Sequence, residues 1–154
     1  LKARGVACRV LLAGPLDPSN PACIAERQVR EWEAKGLCQW LGSIVEMLPL
    51  YRQAAIVCLP SYREGIPRVL VEAAGCGLPV VTTDAPGCKD VVEEGITGFK
   101  VPVRDSELLA ERLAQLLQDP ELRARMGKAA RERALARYDV PRIVDETFKI
   151  YGER

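Results

Sequence analysis

Residues 55–60, Ala55-Ile56-Val57-Cys58-Leu59-Pro60, lead into Ser61-Tyr62-Arg63-Glu64-Gly65-Ile66-Pro67, then Arg68-Val69-Leu70-Val71-Glu72-Ala73-Ala74-Gly75-Cys76-Gly77, then Leu78-Pro79-Val80-Val81-Thr82-Thr83. The first and last of these runs are short, apolar and rich in β-branched residues, and each stops at turn residues, so each reads as a buried strand. Between them, residues 68–76 read as a helix broken by Gly75 and Gly77. Two strands that are apolar on both faces, with a helix between them, describe a parallel unit whose sheet is covered on both sides.

The same alternation continues outward. Residues 7–14 read as a strand ending in Gly14-Pro15, and residues 24–35 as an amphipathic helix closed by Gly36. A second strand is predicted over 37–41 and a short helix over 45–53. Downstream, a short strand at 99–101 precedes a helix capped by Asp105 or Ser106, with Leu108, Leu109, Leu113, Leu116 and Leu117 on one side. Asp119-Pro120 opens a further helix reaching about Arg137, and a last one follows Pro141, with Ile143, Val144, Phe148 and Tyr151 at helical spacing. The expected class is α/β, a Rossmann-like doubly wound parallel sheet.

Composition excludes several kinds of function. The chain has 154 residues, 48% hydrophobic and 28% charged, so it can bury a core and reads as one domain. Its 22 basic residues face 21 acidic ones and aromatics are 5%, which argues against a nucleic-acid surface. There is no histidine, so a Ser-His-Asp triad, a His-ligated zinc and a histidine base are all absent from this chain. Cys8, Cys23, Cys38, Cys58, Cys76 and Cys88 form no CxxC pair and are expected to be free thiols acting as small hydrophobes, as in a cytoplasmic protein. No apolar stretch approaches the roughly 18 residues of a membrane span.

Ligands of doubly wound sheets sit beyond the carboxyl ends of the strands. Gly14 stands at one such end, without a dinucleotide fingerprint, and fits either a plain turn or a ligand approach. The richer one is Pro60 to Glu72. Glu64 and Gly65 are expected at a helix entrance, where free N–H groups and the dipole favour an anion, with Pro67 near the first helical position. Glu72 lies two turns on from Glu64, so two carboxylates on one helix face could each accept paired sugar hydroxyls. A capping Glu64 with a surface Glu72 fits the same letters.

The Glu64-to-Glu72 spacing, within the run from Glu64 to Val81, resembles the Glu-x7-Glu motif of retaining GT-B glycosyltransferases of family 4. Pro86-Gly87-Cys88-Lys89-Asp90-Val91-Val92, Gly95-Ile96-Thr97-Gly98-Phe99-Lys100-Val101-Pro102 and the segment from Asp119 through Tyr138 resemble the same family, so the likeness covers nearly the whole chain. It implies the C-terminal, donor-binding domain of a GT-B enzyme. Glu64 would be the catalytic residue, bonding the donor hexose. Glu72 would hold the ribose, and Gly65, Ile66, Pro67 and Leu70 would line the sugar and diphosphate. Gly42 and Ser43 would lie where the base docks, and Gly14 would let the donor approach.

The resemblance further implies a UDP-sugar donor, a hexose or N-acetylhexosamine moved to a glycan or lipid-linked acceptor for a bacterial surface polysaccharide, and no metal. It places the protein in the cytoplasm or at the inner face of the membrane. Gly65-Ile66-Pro67 departs from the commoner Gly-Phe-Gly, and Asp90 stands where glutamate is commoner. The chain is expected to lack the donor domain's first strand and basic motif and the N-terminal acceptor domain, so it reads as a donor-domain fragment of a larger enzyme that is inactive by itself. A non-catalytic nucleotide-sugar-binding module of the same fold is the alternative. Arg123, Arg125, Lys128, Arg131, Arg133 and Arg137 fit a solvated helix face or a peripheral membrane contact.

Overall fold

The computed structural model describes residues 1–19 and 23–152. The chain divides into two compact units, Leu1–Leu50 and Tyr51–Arg154, and each is described by itself. Pairing is parallel throughout the described strands, as expected, and forms one two-stranded and one three-stranded sheet.

In the first unit a 3-10 turn, Lys2–Arg4, precedes β1 (Leu11–Leu12), α1 (Glu26–Ala34) and β2 (Gln39–Trp40). The two strands pair with Leu11 opposite Gln39 and Leu12 opposite Trp40. Both are shorter than the apolar runs suggest. Glu33 of α1 accepts the Trp40 backbone N–H at 2.7 Å, which ties helix to strand, and that bond holds its carboxyl below the ordinary glutamate range. The guanidinium of Arg30 lies over the Trp40 ring at 4.8 Å, a cation–π contact on the same face. The helix expected over 45–53 contracts to α2, Leu48–Tyr51.

The second unit is built on β4 (Val80–Thr83), with β3 (Val57–Leu59) on one side and β5 (Gly98–Val101) on the other. All four residues of β4 are buried, which is why they read as a continuous apolar run closed by two threonines. α3 (Arg68–Gly75) connects β3 to β4, and a short α4 (Cys88–Val91), not anticipated from the sequence, lies between β4 and β5. α5 (Ser106–Gln118) and α6 (Pro120–Tyr138) follow. Asp105, not Ser106, caps α5, accepting from Leu108 N at 2.9 Å, and Asp119 caps α6 through Leu122 N at 2.8 Å. Val81, Phe99, Leu116, Leu122 and Met126 form the core between sheet and helices. α7 (Val140–Gly152) leaves Phe148 and Tyr151 exposed.

Two expectations hold only in part. All six cysteines are free, but Cys88 is the buried one, and Cys76 is exposed at the end of α3, so the small-hydrophobe reading fits only part of the set. On α6, Arg125, Lys128 and Arg137 are exposed, as a solvated face expects, but the other three basic residues also bond backbone carbonyls. Arg123 donates to the carbonyls of Leu116 and Leu117 at the end of α5, and Arg131 to that of Gly75 at the end of α3. Arg133 bonds Val91 O and pairs with Glu93. Cations at helix carboxyl ends meet unpaired carbonyls and the negative pole of the dipole. Among the described residues no helix is long and apolar enough to cross a membrane.

Gly127 sits in the middle of α6, where alanine would favour the helix by about 1 kcal/mol. A Cβ there would overlap the carbonyl of Gly77, whose carbon would lie 3.0 Å away and whose oxygen nearer still. The close approach of α6 to the turn before β4 therefore outweighs the propensity. Gly127→Ala should destabilise the fold by about 1–3 kcal/mol, the usual cost of overpacking, read as a lowered urea midpoint. A variant more stable than wild type would mean that the two backbones do not meet.

Candidate active site

The chain leaving β3 is fixed by the strand beside it. Thr82, fully buried, donates its hydroxyl to Leu59 O at 2.7 Å, and Thr83 donates to Ser61 O beyond the end of β3. Ser61 in turn donates its hydroxyl to Glu64 Oε1 at 2.6 Å. The Glu64 N–H donates to Pro86 O at 3.1 Å, which fastens this loop to the one after β4. Gly87 in that second loop has φ 81° and lies so close to Glu64 and Gly65 that a Cβ would meet Glu64 O at 2.5 Å. Glu64 is thus held by a hydroxyl, a carbonyl and a close-packed glycine. Of these residues, only the Pro86-Gly87 pair stands in a stretch singled out by the sequence beyond the loop itself. Ser61, three positions before Glu64, is the contact a search for local side-chain bonding could have found.

α3 begins at Arg68 with Pro67 at its N-cap and no side-chain cap. Glu64 therefore lies in the loop before the helix, neither capping it nor sharing its face with Glu72. Helical phase, expected to align the two carboxylates, does not relate them, because Glu64 precedes the first turn. Gly65 and Ile66 are exposed, Ile66 by 63%, whereas Pro67 is buried. Leu70 is 0% exposed and its N–H bonds Pro67 O, so its side chain packs the core and is not available to line a donor.

Glu72 is on α3 and half-exposed. Its Oε1 pairs with Arg68 at 3.2 Å, and its Oε2 accepts from the Tyr51 hydroxyl at 3.0 Å. Tyr51, the last residue of α2, has no local sequence signal linking it to Glu72, 21 positions away. In the first unit, Gly14 (φ 137°) and Gly42 (φ 65°) follow β1 and β2 and are joined by Gly14 N to Gly42 O at 2.8 Å; both take positive φ, which favours glycine. Trp40 Nε1 donates to Gly14 O at 3.0 Å, and Ser43 is exposed beside Gly42. Among the described residues no three metal-binding side chains cluster.

The family model for glycosyl transferases group 1 matches residues 1–133. The chain belongs to that family. It is 31% identical over 141 residues to the N,N'-diacetylbacillosaminyl-diphospho-undecaprenol alpha-1,3-N-acetylgalactosaminyltransferase of Campylobacter jejuni, covering 92% of this chain and 36% of that enzyme. It is 30% identical to N-acetyl-alpha-D-glucosaminyl L-malate synthase of Bacillus anthracis, covering 84% of this chain and 34% of that one. HepE of Anabaena, solved in complex with UDP, superposes with a TM-score of 0.80 at 25% identity over 94% of this chain and 40% of its own. Sucrose-phosphate synthase of Thermosynechococcus elongatus gives 0.82 at 28%, over 93% and 37%. The fold is that of the GT-B glycosyltransferases, and the chain spans about a third of the length of these two curated relatives.

Two outcomes follow from the geometry. Gly87→Ala should move the amide resonances of Glu64 and Gly65 and lower stability by about 1–3 kcal/mol through overlap and the left-handed backbone; unchanged resonances would show that the loops are not in contact. Burial, then the hydrogen bond to Glu72, push the Tyr51 phenol above the ordinary tyrosine range. A raised folded value means that this contribution to stability is whole below about pH 10, where unfolded tyrosine ionises, and is lost as pH rises beyond it. Denaturation curves above pH 10 should fall less steeply for Tyr51→Phe than for wild type.

Proposed function

We propose that this chain is the donor-binding part of a retaining glycosyltransferase of the family 4 type. In this reading it holds a nucleoside diphosphate sugar, a UDP-sugar, whose hexose or N-acetylhexosamine passes to a glycan or lipid-linked acceptor in bacterial surface polysaccharide synthesis. The observation that carries the reading is the placement of Glu64. It stands where β3 opens into α3, in a loop held from behind by Ser61 and Gly87, and it serves no cap, so its carboxylate is available to hydroxyls of a sugar. Family membership, the UDP complex of HepE and the lipid-linked substrate in the name of the Campylobacter relative support it.

The roles follow from the chemistry. Glu64 bonds the donor hexose and is the catalytic residue. Glu72 accepts from the ribose hydroxyls. The exposed backbone of Gly65 and Ile66 faces the sugar and diphosphate, and Gly14, Gly42 and Ser43 serve the nucleoside. The proposal assigns no metal; negative charge on the departing diphosphate is met by fixed dipoles and cations.

An amide NMR titration with UDP, GDP and ADP tests it. One nucleotide should shift Gly14, Gly42 and Gly65 together. Glu72→Ala should weaken that nucleotide roughly ten- to a hundredfold, as loss of a charge-assisted contact does. Glu64→Ala should keep the nucleotide and lose preference among its sugars. Wild-type affinity in Glu72→Ala would remove the ribose assignment.

A further inference from the structure

The two oxygens of Glu72 stand in unlike surroundings. Oε1 pairs at 3.2 Å with Arg68, one turn earlier on α3, and that side chain is 90% exposed. Such a pair is weak and yields readily to a better-placed donor. Oε2 accepts at 3.0 Å from Tyr51, which is 4% exposed. The same hydroxyl lies 3.4 Å from Val69 O. A phenol has one proton to give, and the shorter bond to an ionised acceptor holds it. The carboxylate is therefore anchored at one oxygen by a packed ring and exchangeable at the other. Each carboxylate oxygen has two acceptor positions, so the Tyr51 bond leaves room on Oε2, and departure of Arg68 opens Oε1.

We propose that Tyr51 is a positioning residue of the nucleotide site: its hydroxyl fixes the Glu72 carboxylate so that ribose hydroxyls displace Arg68 from it. This rests on the assignment of Glu72 to the ribose made above. Tyr51 acts through Glu72. A free glutamate side chain must lose several torsional freedoms to grip a ligand, and a buried donor on Oε2 removes part of that freedom before the ligand arrives.

The test uses the 154-residue chain, wild type, Tyr51→Phe and Glu72→Ala. Each is titrated with the tightest binder among UDP, GDP and ADP, and then with the same diphosphate on a dideoxyribose. Tyr51→Phe should weaken the ribose form about three- to tenfold, the range of one hydrogen bond, and leave the dideoxy form unchanged. Equal weakening of both forms, which a general loosening of the fold would also give, overturns the positioning role, as does no weakening at all. If Glu72→Ala loses the preference for ribose while Tyr51→Phe keeps it, Tyr51 alone is wrongly assigned. If Glu72→Ala binds the ribose form as tightly as wild type, the assignment of Glu72 falls and this proposal with it. A wild-type chain that binds none of the three nucleotides, or binds both sugar forms alike, overturns both.

Discussion

Strand β4 is buried along its whole length, and two of its four residues are threonines whose hydroxyls must find acceptors inside the protein. A buried hydroxyl left without a partner costs about 1–3 kcal/mol. Thr82 and Thr83 find theirs on Leu59 and Ser61, the last residue of β3 and the loop just past it. The demand of a buried strand for satisfied polar groups thus fixes the backbone of a neighbouring loop at the carboxyl end of the sheet. Ser61, set by Thr83, meets Glu64, so the path from core to candidate catalytic carboxylate is two hydrogen bonds long.

Backbone proximity sets the rest of the second unit. Gly127 lets α6 rest against the carbonyl of Gly77 in the turn into β4, Gly98 passes the carbonyl of Val80, and Gly87 lies on the backbone of Glu64 and Gly65. Each place would be closed by a single methyl group. Arg123, Arg131 and Arg133 of α6 complete this packing by bonding carbonyls at the ends of α5, α3 and α4, so a helix that looks like a charged outer surface is fastened through three of its charges.

The two glutamates are held in different ways, and the difference suits different tasks. Glu64 is set by a loop gripped from two sides, which gives a precise position at the mouth of the sheet. Glu72 stands on a helix, with one oxygen on a buried phenol and the other on an exposed guanidinium.

The order of strands and helices was legible because hydrophobic periodicity is local: buried runs such as residues 78–83 and the leucine stripe of α5 declare themselves over a few residues. The motif around Glu64 and Glu72 was legible for the same reason. Their geometry was not. Helix phase put both carboxylates on one face, yet α3 starts only at Arg68, because Pro67 takes the N-cap and the Glu64 backbone is bound to Pro86. Leu70, inside the motif, turned out to be core. Tyr51 and Gly87 gained their roles from residues 21 and 22 or 23 positions away, and no local pattern encodes a contact of that separation. The sequence by itself determined which segments form strands and helices, that the strands run parallel, and which residue types stand at the ends of the strands. Only the tertiary structure decided what each carboxylate leans on, because hydrogen-bond partners and close approaches are fixed when distant segments pack, and chain order does not record them.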